Sequence, residues 1–404
     1  MTEVTNTTFA TQRAGDLRIV ASVSAAHFVS HFYILVLPPL FAFIKVDFGV
    51  SYTELGLALT VFMAVSALLQ TPAGFLVDRS NPRLILVAGL LCGVAGLVIA
   101  AFSHSYWVLV ATFGLMGFGN TVYHPADYAL LSRHVSAERM SQAYSAHTFA
   151  GLLGSAVAPA ALLAMHGAFG WRGAFLGAAA LGLVAVAVLL MLKDNAPDQP
   201  VKSRGGTATA ISNWRLLSSK PILVNFLFFT LLAFSSFGFM NFSVVALGAL
   251  YQTPVATANA ALSGYLVLSA LGVLVGGVIA TRTSRHGLTA VIGIIVAAVA
   301  TLVIGLFDLD APWLIAVSSF SGLALGAIMP ARDMIVRSVT PPGSFGKVFG
   351  FVTNGFNIGG IISPLVFGPL LDHGSPRLVF IVIAIGGLAG IATVASVPRR
   401  SSAP

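Results

Sequence analysis

Several ionisable residues lie inside otherwise apolar segments of this sequence, and their types and spacing suit proton transfer or ligand binding. His27 and His31 are four residues apart, so they would share one face of a helix. His124 and Asp127, three apart, would share another, and His147 lies near the start of the next apolar segment. Histidine titrates near neutral pH, and burial disfavours the charged form of a carboxylate until a cation approaches. These residues therefore predict a site that takes up and releases protons, with Asp127 as the coupling group.

A second set of polar residues lies further along the chain. Arg332 and Asp333 are adjacent in a later apolar segment, and Arg332 would present a fixed fork of donors to a carboxylate or phosphonate. Two alternatives stay open: Arg332 and Asp127 neutralise each other, or Arg332 and Asp333 lie close enough to the cytoplasm to be solvated. The predicted substrate and proton cavity comprises His27, His31, Tyr123, His124, Asp127, His147, Arg332, Asp333, Asn354 and Asn357.

Several other kinds of chemistry lack the residues that they need. The His27-x-x-x-His31 spacing suits a helical metal pair, but two imidazoles without a nearby acid or thiol make an incomplete site, so no metal is expected. The single cysteine, Cys92, excludes a disulfide framework and cysteine-based metal centres. The sequence has no His-Glu-x-x-His motif, no serine nucleophile turn and no nucleotide-binding glycine loop. We therefore expect no enzyme, no catalytic residues and no cofactor, with a proton gradient rather than ATP as the energy source.

The composition shows which elements must position these residues. The chain has 404 residues, 57% of them hydrophobic and only 8% charged, with a mean hydropathy of +0.93. Soluble domains carry roughly 25% charged residues, so a water-soluble protein is excluded. A helix needs about 20 apolar residues to cross a bilayer. Twelve such runs are found: Leu17–Ile44, Thr53–Val77, Leu84–Phe102, Trp107–Leu131, Gln142–Met165, Arg172–Leu192, Ile222–Tyr251, Val255–Thr281, Gly287–Phe307, Pro312–Val336, Val348–Leu371 and Arg377–Val397.

The positive charges are distributed unequally between the two sides of these spans. Only Lys45, Arg172 and Arg377 fall on one side, and the remaining Lys and Arg residues collect on the other, except Arg332, which lies within a span. Cytoplasmic loops are rich in Lys and Arg, so both termini are predicted to be cytoplasmic. Topology thus accounts for the net charge of +8, and no nucleic-acid partner is expected. The first span is too long for a signal peptide, so no cleaved leader is expected either.

The two halves of the chain share one sequence pattern of six apolar spans. Residues 193–220 form a polar linker rich in Pro, Gly and charge, which predicts six-helix bundles at 1–192 and 221–404. A shift of roughly 203–206 positions places matching residues of the two halves together, and puts Arg332 at the position of Asp127. The predicted fold is an all-α membrane protein of two pseudo-symmetric bundles with a cavity at their interface. The matches include Ser66 with Ser269, Gly154 with Gly359, Pro159 with Pro364 and Arg172 with Arg377.

The segment after the second span, Gly74-Phe-Leu-Val-Asp78-Arg79-Ser-Asn-Pro-Arg83, resembles the signature loop of the major facilitator superfamily. The resemblance implies a twelve-helix transporter in which Gly74, Asp78, Arg79 and Arg83 form a cytoplasmic gate that stabilises the outward-open state. Asn81 stands where the family usually has Gly, and Pro82 where it has a cation. In the second copy Thr281 replaces the acid before Arg282, which predicts a weaker second gate.

Two further motifs resemble branches of this superfamily. The fifth span contains Gly151, Gly154 and Pro159, which resemble the helix-bend motif of drug antiporters and favour export. The histidines of the first span and Tyr123-His124-Pro125 in the fourth are similar to the fosmidomycin-resistance branch, although Ala126 separates Pro125 from the acid at Asp127.

These resemblances imply a secondary active transporter in the bacterial inner membrane that is functional as a monomer. We expect a proton-coupled exporter of a small anionic or amphipathic compound such as an antibiotic. The alternative is a proton-coupled uptake symporter for a small organic acid. In either case the partners are a small-molecule substrate and the lipid bilayer.

Overall fold

Helices make up almost all of the chain that can be described. A computed structural model describes residues 2–136, 139–192, 215–341 and 345–395, and within these ranges it contains helices and turns but no strand, which confirms the predicted all-α fold. Most of the predicted linker at 193–220 lies outside the described residues. The helices are α1 (Thr2–Ile34), a short 3-10 helix (Pro38–Leu40), α2 (Phe41–Phe48), α3 (Tyr52–Arg79), α4 (Pro82–Phe102), α5 (Tyr106–Asn120), α6 (Tyr123–His134), α7 (Met140–Leu190), α8 (Lys220–Tyr251), α9 (Val255–Arg282), α10 (His286–Leu306), α11 (Ala311–Val339), α12 (Phe345–Asp372) and α13 (Pro376–Ala395).

Ten helical segments of the described chain are long and apolar enough to cross a membrane, whereas the sequence predicts twelve. One of the ten, Gln142–Leu190, is 49 residues long and covers the predicted fifth and sixth spans, with non-helical backbone at Gly170 between them. The predicted fourth span, Trp107–Leu131, is divided between α5 and α6, which have 15 and 12 residues and are each too short to be counted. The two differences together account for the lower number.

The fourth span is divided shortly before Pro125, the third residue of α6, which has no backbone N–H to donate. Pro330, at the related position of the repeat, lies inside the continuous helix α11, so a proline alone does not divide a span. Two tight turns join the pieces, with Thr121 N donating to Phe118 O at 3.2 Å and Val122 N donating to Gly119 O at 3.5 Å. Unlike α5, α6 carries several ionisable residues, among them His124, Asp127 and Arg133, so hydropathy falls at the break, and a single predicted span over Trp107–Leu131 averaged over that fall.

The chain separates into two compact units. The first consists of residues 1–50 and 61–203, and the second of residues 51–60 and 204–404. The start of α3 therefore groups with the second unit, while the rest of α3 belongs to the first. The first unit carries the histidines of α1, α6 and α7, and the second carries Arg332.

Each unit contains the same close helix packing at positions related by the predicted repeat. A Cβ at Gly154 of α7 would lie 2.1 Å from the carbonyl O of Phe28 on α1, so only glycine fits. At the related position in the second unit, a Cβ on Gly359 of α12 would lie 2.5 Å from the carbonyl O of Thr230 on α8. Small residues at such positions let helix backbones approach each other in a membrane. The repeat seen in the sequence thus corresponds to shared packing.

The interruption of α7 at Gly170 is fixed by backbone conformation and by polar contacts. Gly170 has φ 70° and ψ 174°, a combination that only glycine adopts without strain. Directly after it, Trp171 Nε1 donates to Asp47 Oδ2 at 3.2 Å, and Arg172 forms an ion pair with the same carboxylate. The Arg172 guanidinium also stacks 4.2 Å from the Trp171 ring. These contacts tie the end of α2 to the start of the second half of α7.

Gly170→Ala is expected to destabilise the protein by about 1–3 kcal/mol, because a Cβ is strained at this φ and ψ. The measurement is the thermal unfolding midpoint of the purified protein in detergent. Gly167→Ala is the matched control: Gly167 is helical and a Cβ there meets no described atom within 4 Å. Equal midpoints for the two variants would contradict the interpretation of Gly170.

Candidate functional site

Four histidines of the first unit form one cluster of aromatic rings. The rings of His27 on α1 and His147 on α7 are stacked, with centroids 3.7 Å apart and planes within 9° of parallel. His31 contacts His27 edge-on at 4.6 Å, and His124 of α6 does so at 5.2 Å. His27 is only 4% exposed and His147 is fully buried, whereas the side chain of His124 is exposed. The structure thus brings together four residues that the sequence placed on three separate segments.

Hydrogen bonds and a glycine hold the two α1 imidazoles in place. His27 Nδ1 lies 2.9 Å from the carbonyl O of His147, and His31 Nδ1 lies 3.2 Å from Ser155 Oγ. A Cβ on Gly151 of α7 would lie 2.7 Å from His27 Cε1 and 3.0 Å from His31 Cδ2. Gly151 therefore provides the space that the imidazoles occupy.

Asp127 lies against this histidine cluster. Its side chain is 0% exposed, and Oδ2 lies 3.7 Å from Nε2 of His147, which is too far for a hydrogen bond. Neither carboxylate oxygen has a hydrogen-bond partner among the described residues. Tyr123, on the same helix, is also buried, and the ring of Tyr128 contacts His147 edge-on at 5.6 Å. Asp127 is thus a buried acid bordered by an imidazole and aromatic rings.

In the second unit Arg332 lies against two aromatic rings that contact each other edge-on. Arg332 Nε donates to Oδ1 of the adjacent Asp333 at 3.0 Å, and Nη2 lies 2.9 Å from the same oxygen. The guanidinium carbon lies 4.2 Å from the centroid of the Phe229 ring and 5.0 Å from that of Phe356. Arg332 is 9% exposed, whereas the Asp333 side chain is half-exposed. The structure shows an ion pair between Arg332 and Asp333, which neither of the alternatives left open by the sequence had included.

Two asparagines of α12 form a local pair. Asn357 Nδ2 donates to Asn354 Oδ1 at 2.8 Å, and Asn354 is exposed. Phe356, which contacts Arg332, lies between them in the sequence.

The predicted gate loop departs from the family pattern in a way that has a structural reason. Asn81, at the usual glycine position, is the N-cap of α4: its Oδ1 accepts from the backbone N of Arg83 at 2.9 Å and of Leu84 at 3.3 Å. A side-chain cap replaces the conformational freedom of glycine at the start of the helix. Arg83 Nη1 also donates to the carbonyl O of Leu192.

The other gate residues are less constrained. Arg79 and Arg282 are exposed, and a Cβ on Gly74 would meet no described atom within 4 Å. Asp78 belongs to α3, but its side chain lies outside the described residues. The ion pairs expected for the gate therefore stay predictions.

The helix-bend motif acts through its glycines. Gly151 makes room for the two imidazoles and Gly154 allows α7 to approach α1, while Pro159 lies inside α7. Within α7 the non-helical backbone occurs at Gly170 and not at Pro159. A bend at Pro159 stays a prediction.

Sequence reasoning missed Phe229, Phe356 and Ser155. A buried guanidinium is commonly stacked on aromatic rings, so the phenylalanines of the seventh and eleventh spans were a usable signal. Ser155 carried no such signal, because serine is common in membrane helices and only its distance to His31 distinguishes it.

Apolar helices that bury a few ionisable side chains define a polytopic membrane protein with a functional interior. Comparison with known protein families identifies which kind of membrane protein this is. The sequence pattern of the Major Facilitator Superfamily matches residues 23–255 and 231–404. The chain belongs to the Major Facilitator Superfamily, a family of membrane transporters.

Individual relatives agree with this assignment. The chain is 23% identical over 386 residues to the fosmidomycin resistance protein of Escherichia coli K12, covering 93% of this chain and 92% of that protein. It is 28% identical over 390 residues to a probable sulfoacetate transporter of Cupriavidus necator, covering 87% and 86%. Among solved structures, a bacterial homologue of the human lysosomal transporter Spinster superimposes with a TM-score of 0.80 at 14% identity, covering 93% and 95%. The predicted resemblance to the fosmidomycin-resistance branch is confirmed.

Proposed function

We propose that this transporter is a proton-coupled exporter, an antiporter, of a small anionic or amphipathic compound such as an antibiotic. It would work in the bacterial inner membrane as a monomer, with both termini in the cytoplasm and the proton gradient as its energy source. The observation that carries the proposal is Arg332, a cation held against two aromatic rings in a membrane-spanning helix.

The environment of Arg332 suits an anionic substrate. Asp333 Oδ1 accepts from Nε and Nη2, so these contacts occupy one edge of the planar guanidinium. The edge formed by the two terminal nitrogens, Nη1 and Nη2, is left for another acceptor. Phe229 and Phe356 fix the plane of the group. A guanidinium edge matches the two oxygens of a carboxylate or phosphonate. A small anion would therefore bind in a defined orientation.

Asp127 is the candidate for coupling. An ionised carboxylate without a hydrogen-bond donor is costly to bury, and Asp127 has none among the described residues. A proton removes that charge, so its uptake and release at Asp127 would accompany changes in the surroundings of α6. His147, at 3.7 Å, is placed to relay the proton.

The relatives support both the proposed direction of transport and the proposed class of substrate. The fosmidomycin resistance protein is named for resistance, which favours export. The probable sulfoacetate transporter is named for a small organic anion, which favours an anionic substrate. A small organic anion is equally compatible with the alternative, a proton-coupled uptake symporter for a small organic acid.

The direction can be tested in everted membrane vesicles that carry an interior-acid pH gradient, with fosmidomycin and sulfoacetate as probes. An antiporter exchanges interior protons for substrate, so adding an exported compound outside should dissipate the gradient. Vesicles from the same host without the protein serve as the control. A gradient that persists with both compounds outside, but falls when one is loaded inside, would establish the symporter instead.

A further inference from the structure

The histidine cluster has the composition of a metal site. His27, His124 and His147 each offer a ring nitrogen, and these atoms all lie within 4.8 Å of one another. Three nitrogens bound tetrahedrally to one ion at about 2.1 Å lie about 3.4 Å apart, so small side-chain rotations bring them to an ion. The sequence argued against a metal at His27 and His31 because no acid lies near them along the chain. In the structure α6 supplies one, since Asp127 lies beside the cluster.

Several buried polar atoms in and beside the cluster lack a hydrogen-bond partner. Among the described residues, these are His27 Nε2, both ring nitrogens of His147 and both oxygens of Asp127. Buried polar atoms in proteins are nearly always paired with protein, water or a ligand, so five such atoms in one place indicate a site that takes up water or an ion. A cation between the imidazoles would satisfy the nitrogens and balance the Asp127 carboxylate.

The hydrogen bond of His27 prepares its other nitrogen for an ion. A carbonyl oxygen can only accept, so His27 Nδ1 must donate to the carbonyl O of His147, 2.9 Å away. The lone pair then lies on Nε2, the buried nitrogen that has no partner. Metal-binding histidines are usually oriented in this way, by donating their second nitrogen to a carbonyl or carboxylate.

The donor atoms select a class of metal. Neutral imidazoles suit Zn²⁺, Co²⁺, Ni²⁺ and Cu²⁺, whereas Ca²⁺ and Mg²⁺ require mainly oxygen ligands. Two imidazoles on one ion cannot keep parallel planes, so binding must turn the His147 ring out of its stack on His27.

We propose that His27, His124 and His147 bind one divalent transition-metal ion of the Zn²⁺ class, with Asp127 beside it. Three protein nitrogens leave a fourth position of a tetrahedral ion for Asp127 or for an oxygen of a small anion. The site shares His147 and Asp127 with the proposed coupling step, but metal binding is measured on the protein alone and is therefore tested separately from transport.

The test is a titration of the purified full-length protein, carrying no histidine tag, with Co²⁺ in detergent. We expect the intense visible absorption of four-coordinate Co²⁺, saturating at one ion per chain and displaced by Zn²⁺. His27→Gln and His147→Gln should each weaken binding at least tenfold. His124→Gln should do the same, and because this side chain is exposed, the substitution leaves the packed core intact.

The matched control is His373→Gln, which removes a histidine of the second unit whose Nδ1 lies 2.7 Å from the carbonyl O of Pro369. It should bind Co²⁺ as the parent protein does. Absence of the absorption with Co²⁺ in large excess would overturn the proposal. Equal binding by the three cluster variants and the control would also overturn it, by showing adventitious surface binding. Either result leaves the vesicle experiment unaffected.

Discussion

Asp127→Asn is expected to reduce transport driven by a pH gradient to the background of vesicles without the protein, while substrate binding stays measurable. Asparagine keeps the size of the side chain but cannot exchange a proton. The carboxylate is fully buried and unpaired among the described residues, so the amide should be accommodated without loss of folding. The measurements are gradient-driven uptake of the identified substrate in everted vesicles and equilibrium binding to the purified variant.

Asp310→Asn is the control, since it makes the same substitution at an exposed acid that precedes α11. This variant should transport at the parent rate. Normal gradient-driven transport by Asp127→Asn would remove Asp127 from the coupling mechanism. Loss of both transport and binding would contradict a role limited to coupling.

Arg332→Ala is expected to weaken the binding of an anionic substrate about tenfold to hundredfold, since each hydrogen bond to a charged group contributes about 1.5–3 kcal/mol. A neutral analogue of the same size should lose far less. The measurement is the dissociation constant of each compound for the purified protein. Similar losses for the two compounds would count against Arg332 as an anion contact.

Arg332→Lys separates charge from geometry. Lysine keeps the positive charge, but it lacks the planar edge and stacks less well on Phe229 and Phe356. We expect it to restore only part of the affinity for the anion. Full restoration would show that charge alone is recognised.

The sequence predicted the residue types of the site better than their arrangement. Spacing along a helix was enough to put His27 beside His31, because helical geometry is local. It did not predict that His27 would stack on His147, 120 positions away, since this depends on how α7 packs against α1. The close approach of those helices depends on Gly154, whose role is visible only beside Phe28.

The environment of Arg332 was missed for a related reason. Asp333 was adjacent in the sequence, yet neighbours on a helix usually point in different directions, so spacing did not predict their ion pair. The aromatic rings come from α8 and α12, far apart in the chain. For the fold, apolar length predicted the helices well, but it did not detect the break before Pro125, because one window over the fourth span averaged apolar α5 with the more polar α6.

The break between α5 and α6 determines the length of the helix that carries part of the site. His124 and Asp127 belong to α6, which has 12 residues and is about 18 Å long, shorter than the hydrocarbon core of a bilayer. The short helix α6 is joined to α5 by two tight turns instead of a continuous ladder of helical hydrogen bonds. His124 and Asp127 are thus carried by a short helix that packs against α1 and α4 but does not continue the helical ladder of α5.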